Sequence, residues 1–234
     1  MSNERMTTEA FSARVGRGML IVVSSPSGGG KGTLIDRVLK TVPGLAFSVS
    51  YTTRAPRGSE ENGREYFFVD EPTFRAMIDR GDFLEWADVY GHLYGTSASQ
   101  VERERVAGRD IILEIDVQGA ESIRRKVPDA ISIFILPPSF DLLRNRLIAR
   151  ATDSAADLER RLKGAPAEVA QYKMFDYVIL NDDINRASQQ LAAVIYAERA
   201  RGERQKITLS EALEDFGVAS SEDSILASRS GFSD

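Results

Sequence analysis

The stretch that most limits what this chain can become is SSPSGGGKGT, Ser24 to Thr33. It follows a short apolar run, Met19 to Val23, and precedes a helical pattern in which Leu34, Val38 and Leu39 share one face. A strand that turns through glycine into a helix lets successive backbone N–H groups converge on one point. It adds the positive end of the helix dipole there and sets a lysine beside it. Ser25, Pro26, Ser27, Gly28, Gly29, Gly30, Lys31, Gly32 and Thr33 are therefore candidates for cradling the phosphates of a nucleotide. The same string also reads as a flexible turn that merely joins two elements.

The match to the Walker A pattern of P-loop proteins departs in two places. Ser25 stands where the first glycine is expected, and Gly32 rather than Ser or Thr follows Lys31. Without a hydroxyl after Lys31, a magnesium ion would be held by phosphates, waters and carboxylates elsewhere, with Thr33 bonding a phosphate instead. Three further apolar runs, Ile111 to Ile115, Ile131 to Leu136 and Tyr177 to Leu180, are short and bounded by polar residues, as buried parallel strands are. Helical faces follow, through Leu142, Leu143 and Leu147, and through Leu191, Val194 and Ile195. The predicted fold is α/β: a P-loop core whose parallel sheet is flanked by helices, with right-handed crossovers.

Two segments interrupt that rhythm. Residues 50–99 are rich in aromatic and turn residues, with extended pieces at Tyr66 to Val69 and Phe83 to Tyr90, and read as an inserted lobe. Within it Asp70 is placed to cap a helix through Arg80, with Pro72 in the first turn and Gly81 as the stop. Residues 146–172 form a second insert. From Arg150 to Tyr172 it is charged, helical in pattern and poor in large apolar anchors, as a mobile lid would be. Core segments are then 18–49, 100–145 and 173–202, between a polar tail at 1–17 and a partly disordered tail at 203–234. That last tail holds one short helix, started by the capping box of Thr208 and Glu211 and stopped at Gly217.

Several function classes are disfavoured. No apolar run approaches a membrane span and the first 17 residues lack a secretory signal, so a cytoplasmic address without membrane contact is expected. A cysteine count of 0 removes disulfides, thiolate chemistry and cysteine-held metals. The formal net charge of -5 argues against nucleic-acid binding. The only histidine, His92, sits beside Gly91 and reads as an ordinary surface residue.

The segment FSVSYTTRAPRGSEENGREYFFV, Phe47 to Val69, resembles the GMP-binding signature of the guanylate kinase family. FLEW (Phe83 to Trp86), YGT (Tyr94 to Thr96), LEIDVQG (Leu113 to Gly119) and ILNDD (Ile179 to Asp183) are similar to further motifs of that family, in the same order. The resemblance spans Gly18 to Ala200 and implies a P-loop core, a GMP-binding lobe and a helical lid, acting on ATP with magnesium and on GMP. A homo-oligomer is left open.

The resemblance assigns Arg54, Arg57, Tyr66 and Tyr94 to the GMP phosphate. Guanidinium forks and phenols suit a phosphomonoester dianion. Glu85 would accept the two adjacent donors of guanine, flanked by the hydroxyls of Ser50 and Thr96. Lys31, Arg146, Arg150 and Arg161, together with Arg54, would spread positive charge over the migrating phosphoryl group. Glu114 and Asp116 close the strand Ile111 to Ile115 at its C-terminal end, where Asp116 would orient GMP or a magnesium-bound water. Asn181 resembles the family's contact to the adenine side of ATP. Each has a plainer reading: solvated arginines, an edge-strand Glu85, a capping Asp116, an Asn181 that caps a helix. Arg160 competes with Arg161. Other enzymes on the same plan, such as a kinase of ribose bisphosphate, and non-catalytic guanylate-kinase-like interaction modules remain alternatives.

Overall fold

The computed structural model describes residues 16–149 and 155–217. In chain order the strands are β1 (Leu20–Ser24), β2 (Leu45–Phe47), β3 (Tyr51–Thr52), β4 (Phe67–Phe68), β5 (Phe83–Val89), β6 (His92–Ser97), β7 (Asp110–Glu114), β8 (Ile131–Leu136) and β9 (Tyr177–Leu180). The helices are α1 (Lys31–Thr41), α2 (Glu71–Arg80), α3 (Ala98–Val106), α4 (Val117–Lys126), α5 (Phe140–Ala149), α6 (Ala155–Ala170), α7 (Ile184–Arg199) and α8 (Gly202–Asp215).

Every residue of β1 is buried, so both its faces need a cover. It lies at the centre of a parallel sheet ordered β2-β7-β1-β8-β9, with Val22 opposite Leu113 on one side and Ser132 on the other. Ile21 and Val23 pack on Leu34, Ile35 and Val38 of α1 and on Leu191 and Ile195 of α7. Leu20 and Val22 face Ala120 and Ile123 of α4 and Val101 of α3. Alternate residues of one strand thus feed two cores, which makes the expected sheet flanked by helices. The four expected strands are present, the first and second shifted by one residue. The fifth, Leu45–Phe47, is only three residues long and half-buried, too short to show as an apolar run.

The first insert folds as a second sheet, ordered β4-β3-β6-β5. The helix expected from Asp70 forms there. Asp70 Oδ1 accepts the Thr73 N–H at 2.9 Å, and Gly81 ends the helix at φ 74. Phe74 and Met77 bury the helix against Phe83 and Leu93.

In the second insert α6 is less loosely anchored than its composition suggests. Leu143 and Leu147 of α5 meet Ala165 of α6, with Leu158 and Leu162 against them, so medium-sized residues at helical spacing make a separate small core. The C-terminal helix also departs from expectation. It begins at Gly202 rather than at Thr208, and Thr208 lies inside it, so the capping box starts nothing. Gly217, at φ 68, does follow its end. Among the described residues no helix is long and apolar enough to cross a membrane.

Candidate active site

Between β1 and α1 the backbone reverses at Gly30, whose φ of 87 is left-handed. A Cβ there would lie 2.5 Å from Asn181 Nδ2, so turn and neighbour both require glycine. Ser25, in the place of the missing first glycine, is buried and bonds its hydroxyl to the Pro26 carbonyl at 2.9 Å. The Gly29 N–H returns to that same carbonyl at 2.9 Å.

The loop is held from behind. Asn181 Nδ2 donates to the Gly29 carbonyl at 2.9 Å, Arg146 Nη1 donates to it at 3.2 Å, and Arg146 Nη2 donates to the Asn181 carbonyl at 3.2 Å. Arg146 therefore touches the loop through the Gly29 carbonyl. Asn181, 2% exposed, braces the loop through its amide. It does not cap α7, because Asp183 does so by accepting the Arg186 N–H at 2.8 Å. Arg150 lies outside the described residues.

One cleft is lined by both the loop and the second sheet: Ser25, Ser27, Gly28 and Lys31 meet Ser50, Arg54, Arg57, Tyr66, Glu85, Tyr94, Glu114, Asp116 and Arg161. Gly28 to Thr33, with Arg146 and Asn181, line an adjoining hollow. Lys31 Nζ lies 3.7 Å from Glu114 Oε1. Asp116 is both the expected cap and a cleft residue: Oδ1 accepts the Gly119 N–H at 2.9 Å at the start of α4, while the group lines the cleft. Burial raises its carboxyl above the ordinary range against the pull of the Gly119 and Gln118 donors.

Arg54 is 6% exposed. Its Nε donates to the Tyr94 hydroxyl at 3.2 Å, its guanidinium lies 5.3 Å from the centre of the Tyr66 ring, and its fork reaches Glu60 at 2.9 and 3.0 Å. Glu60 Oε2 also accepts the Arg57 N–H at 2.8 Å. Burial alone would raise Glu60, but the Arg54 fork and the Arg57 N–H outweigh it and hold the carboxyl below the ordinary range. Glu85 does lie on an edge strand, yet it is 3% exposed because its side chain turns into the cleft. Thr96, fully buried, donates its hydroxyl to Glu85 Oε1 at 2.6 Å. Burial pushes the Glu85 carboxyl up to about 7 against that hydrogen bond, with Asp116 nearby adding to the rise.

Of the two competing arginines, Arg161 is the one that bonds the phosphate loop. Its Nη1 donates to Ser27 Oγ at 2.7 Å, whereas Arg160 bonds the Tyr90 carbonyl at 3.3 Å and pairs with Asp157. His92, read from the sequence as an ordinary surface residue, is exposed at the first position of β6 and also lines the cleft. Four polar cleft residues had no sequence argument: Glu60, Tyr90, Asp157 and Glu168. Acids in a cleft rich in cations do not announce themselves by composition. Glu60 alone had a local signal, standing six residues after Arg54.

Chemically, the cleft offers loop amides and Lys31 to one set of phosphates. It offers Arg54, Arg57 and two phenols to another anion, and a buried carboxylate to adjacent hydrogen-bond donors. The guanylate kinase family model matches residues 17–198, nearly the span over which the motifs were read. The chain is 50% identical over 188 residues to a guanylate kinase of Thiobacillus denitrificans, covering 80% of this chain and 90% of that one. It is 52% identical over 184 residues to one of Aromatoleum aromaticum, covering 79% and 90%. A crystal structure of guanylate kinase from Anaplasma phagocytophilum superposes with a TM-score of 0.70 at 32% identity, covering 84% of this chain and 97% of that one. Fold, cleft and sequence agree: the chain belongs to the guanylate kinase family.

Proposed function

We propose that this protein transfers the γ-phosphoryl group of ATP to GMP, giving ADP and GDP. One observation carries the reading: a phosphate loop and a second anion site with a buried carboxylate line the same cleft. In this reading the loop from Ser25 to Thr33 holds ATP, with Arg146 and Asn181 keeping the loop in shape. The second sheet is the GMP-binding lobe, and α6 with the last residues of α5 forms the lid. Arg54, Arg57, Tyr66 and Tyr94 take the GMP phosphate in place of Glu60. Glu85 accepts guanine N1–H and the exocyclic amine. Because Thr96 gives its proton to Glu85, Ser50 is left to serve the guanine O6. dGMP fits the same description. Adenine would set an unprotonated nitrogen against Glu85, a buried mismatch worth several kcal/mol.

No general base is needed, since the GMP phosphate loses its second proton near about pH 6. Catalysis is alignment of two polyanions plus positive charge from Lys31, Arg54 and Arg161, with Arg150 as a further candidate. The donors suit magnesium that arrives with ATP. Gly32 offers no hydroxyl, and among the described residues no group of three or more His, Asp or Glu gathers to hold a metal. The nucleotide phosphates and waters would hold it, with Asp116 bonding one of those waters, and its charge would lie against the transferring phosphates. A cytoplasmic setting is part of the same reading.

The test is ADP release from ATP and magnesium with GMP, dGMP, AMP, UMP or ribose bisphosphate as acceptor. GMP and dGMP should be turned over, and Lys31→Ala should abolish turnover while the protein stays folded by circular dichroism. Equal rates with GMP and AMP would remove the role of Glu85, and no rate with any acceptor would favour an interaction module.

A further inference from the structure

Several carboxylates line the cleft, and one of them joins separate parts of the fold. Glu168, on α6, accepts the Ser27 N–H of the phosphate loop at 2.9 Å through Oε2, and accepts the Tyr90 hydroxyl at 2.7 Å through Oε1. An acid beside two bound polyanions opposes their binding by simple repulsion, so its place calls for a compensating role. What it joins supplies one. Ser27 belongs to the core, Tyr90 to the tip of the β5–β6 hairpin, and Glu168 to α6. This one side chain joins all three.

Tyr90 is built for that contact. Tyr90 and Gly91 form the two-residue turn between the paired Val89 and His92, with φ of 56 and 84. Such turns favour asparagine or glycine, and Tyr90 is the sole non-glycine residue with positive φ among those described. A strained tyrosine at a turn tip is retained when its side chain is needed. Its partner helix is shaped to receive it: a Cβ on Gly164 would lie 2.9 Å from the phenol oxygen. The Tyr90 carbonyl accepts from Arg160 Nη1 at 3.3 Å, and the Arg161 guanidinium lies 5.7 Å from the centre of its ring while bonding Ser27 Oγ at 2.7 Å.

We infer that Glu168 is a positioning residue which, through Tyr90, clamps α6 to the hairpin and the phosphate loop and thereby places Arg161 for phosphoryl transfer. This rests on the GMP-kinase reading. It differs from a carboxylate that merely fills the empty loop, because a plug must leave before ATP binds and its removal should help. It differs equally from a stabilising contact, because the loss should fall on turnover.

Two measurements on the full chain decide it. In steady-state assays, Glu168→Ala and Tyr90→Phe should each lower kcat about tenfold or more while both KM values stay within about threefold. The double variant should be no slower than Glu168→Ala, since each change breaks the same clamp. Glu168→Gln should recover part of the loss, its oxygen accepting from Ser27 and its amide donating to the Tyr90 oxygen. Wild-type kcat in the single variants, losses that multiply, or a lowered KM for ATP would overturn the proposal. The second measurement needs no catalysis. The chain has no cysteine, so nitroxides at Lys163→Cys and Asp79→Cys report the distance from α6 to the second sheet. Glu168→Ala should broaden that distance distribution without nucleotides, and an unchanged distribution would defeat the clamp. A wild type that does not phosphorylate GMP, together with broadening in Glu168→Ala, would sink the functional reading and keep the clamp.

Discussion

At the scale of single residues, Glu85 carries a conflict: it is 3% exposed, and the guanine recognition proposed for it requires it charged. With its carboxyl pushed up to about 7, the empty site holds it partly protonated at neutral pH. GMP binds the ionised form, so affinity should fall as pH drops from 8 to 6, and binding near pH 7 should release a proton from Glu85. The phosphate of GMP titrates near about pH 6 and contributes its own, smaller change. Calorimetry in buffers of different ionisation enthalpy would count the protons, and Glu85→Gln should reduce the release near pH 7 to the small share of the phosphate while binding GMP more weakly. The same proton count in both proteins would refute the coupling. Asn181 and Arg146 make the opposite lesson. The resemblance gave both a nucleotide role, and what the fold adds is that their donors meet the Gly29 carbonyl, a partner 152 and 117 residues away in sequence.

Among elements, those with a local cause were legible. The Asp70 helix forms because its cap, early proline and terminal glycine all act within a few residues of the chain. The C-terminal helix failed that logic: a capping box inside a longer helix has nothing to cap, and the start at Gly202 comes directly after α7 ends. The second sheet is held by Phe74, fully buried and stacked on Phe83 with ring centres 4.5 Å apart. Phe74→Ala should cost about 3–5 kcal/mol by the usual cavity term. Its signature should be a lower denaturation midpoint and a raised KM for GMP, with ATP affinity kept. If GMP and ATP affinities fell together, the second sheet would not be the GMP-binding unit.

For the whole molecule, the cleft is shared among the core, the second sheet and α6, so both nucleotides together should draw these parts inward and exclude water. Solution scattering should show a smaller radius of gyration with GMP and a non-hydrolysable ATP analogue than without them. Identical profiles would speak against closure. By itself the sequence determined the α/β plan and the phosphate loop, because strand runs, glycine turns and caps act over a few neighbouring residues, while the residues suited to a guanine monophosphate came through the resemblance of its motifs to a family. Only the tertiary structure decided which arginine reaches the loop, that Asn181 and Arg146 brace it, that an edge-strand Glu85 is buried, and that Glu168 and Tyr90 meet. Those outcomes depend on burial and on contacts between distant segments, which no local pattern encodes.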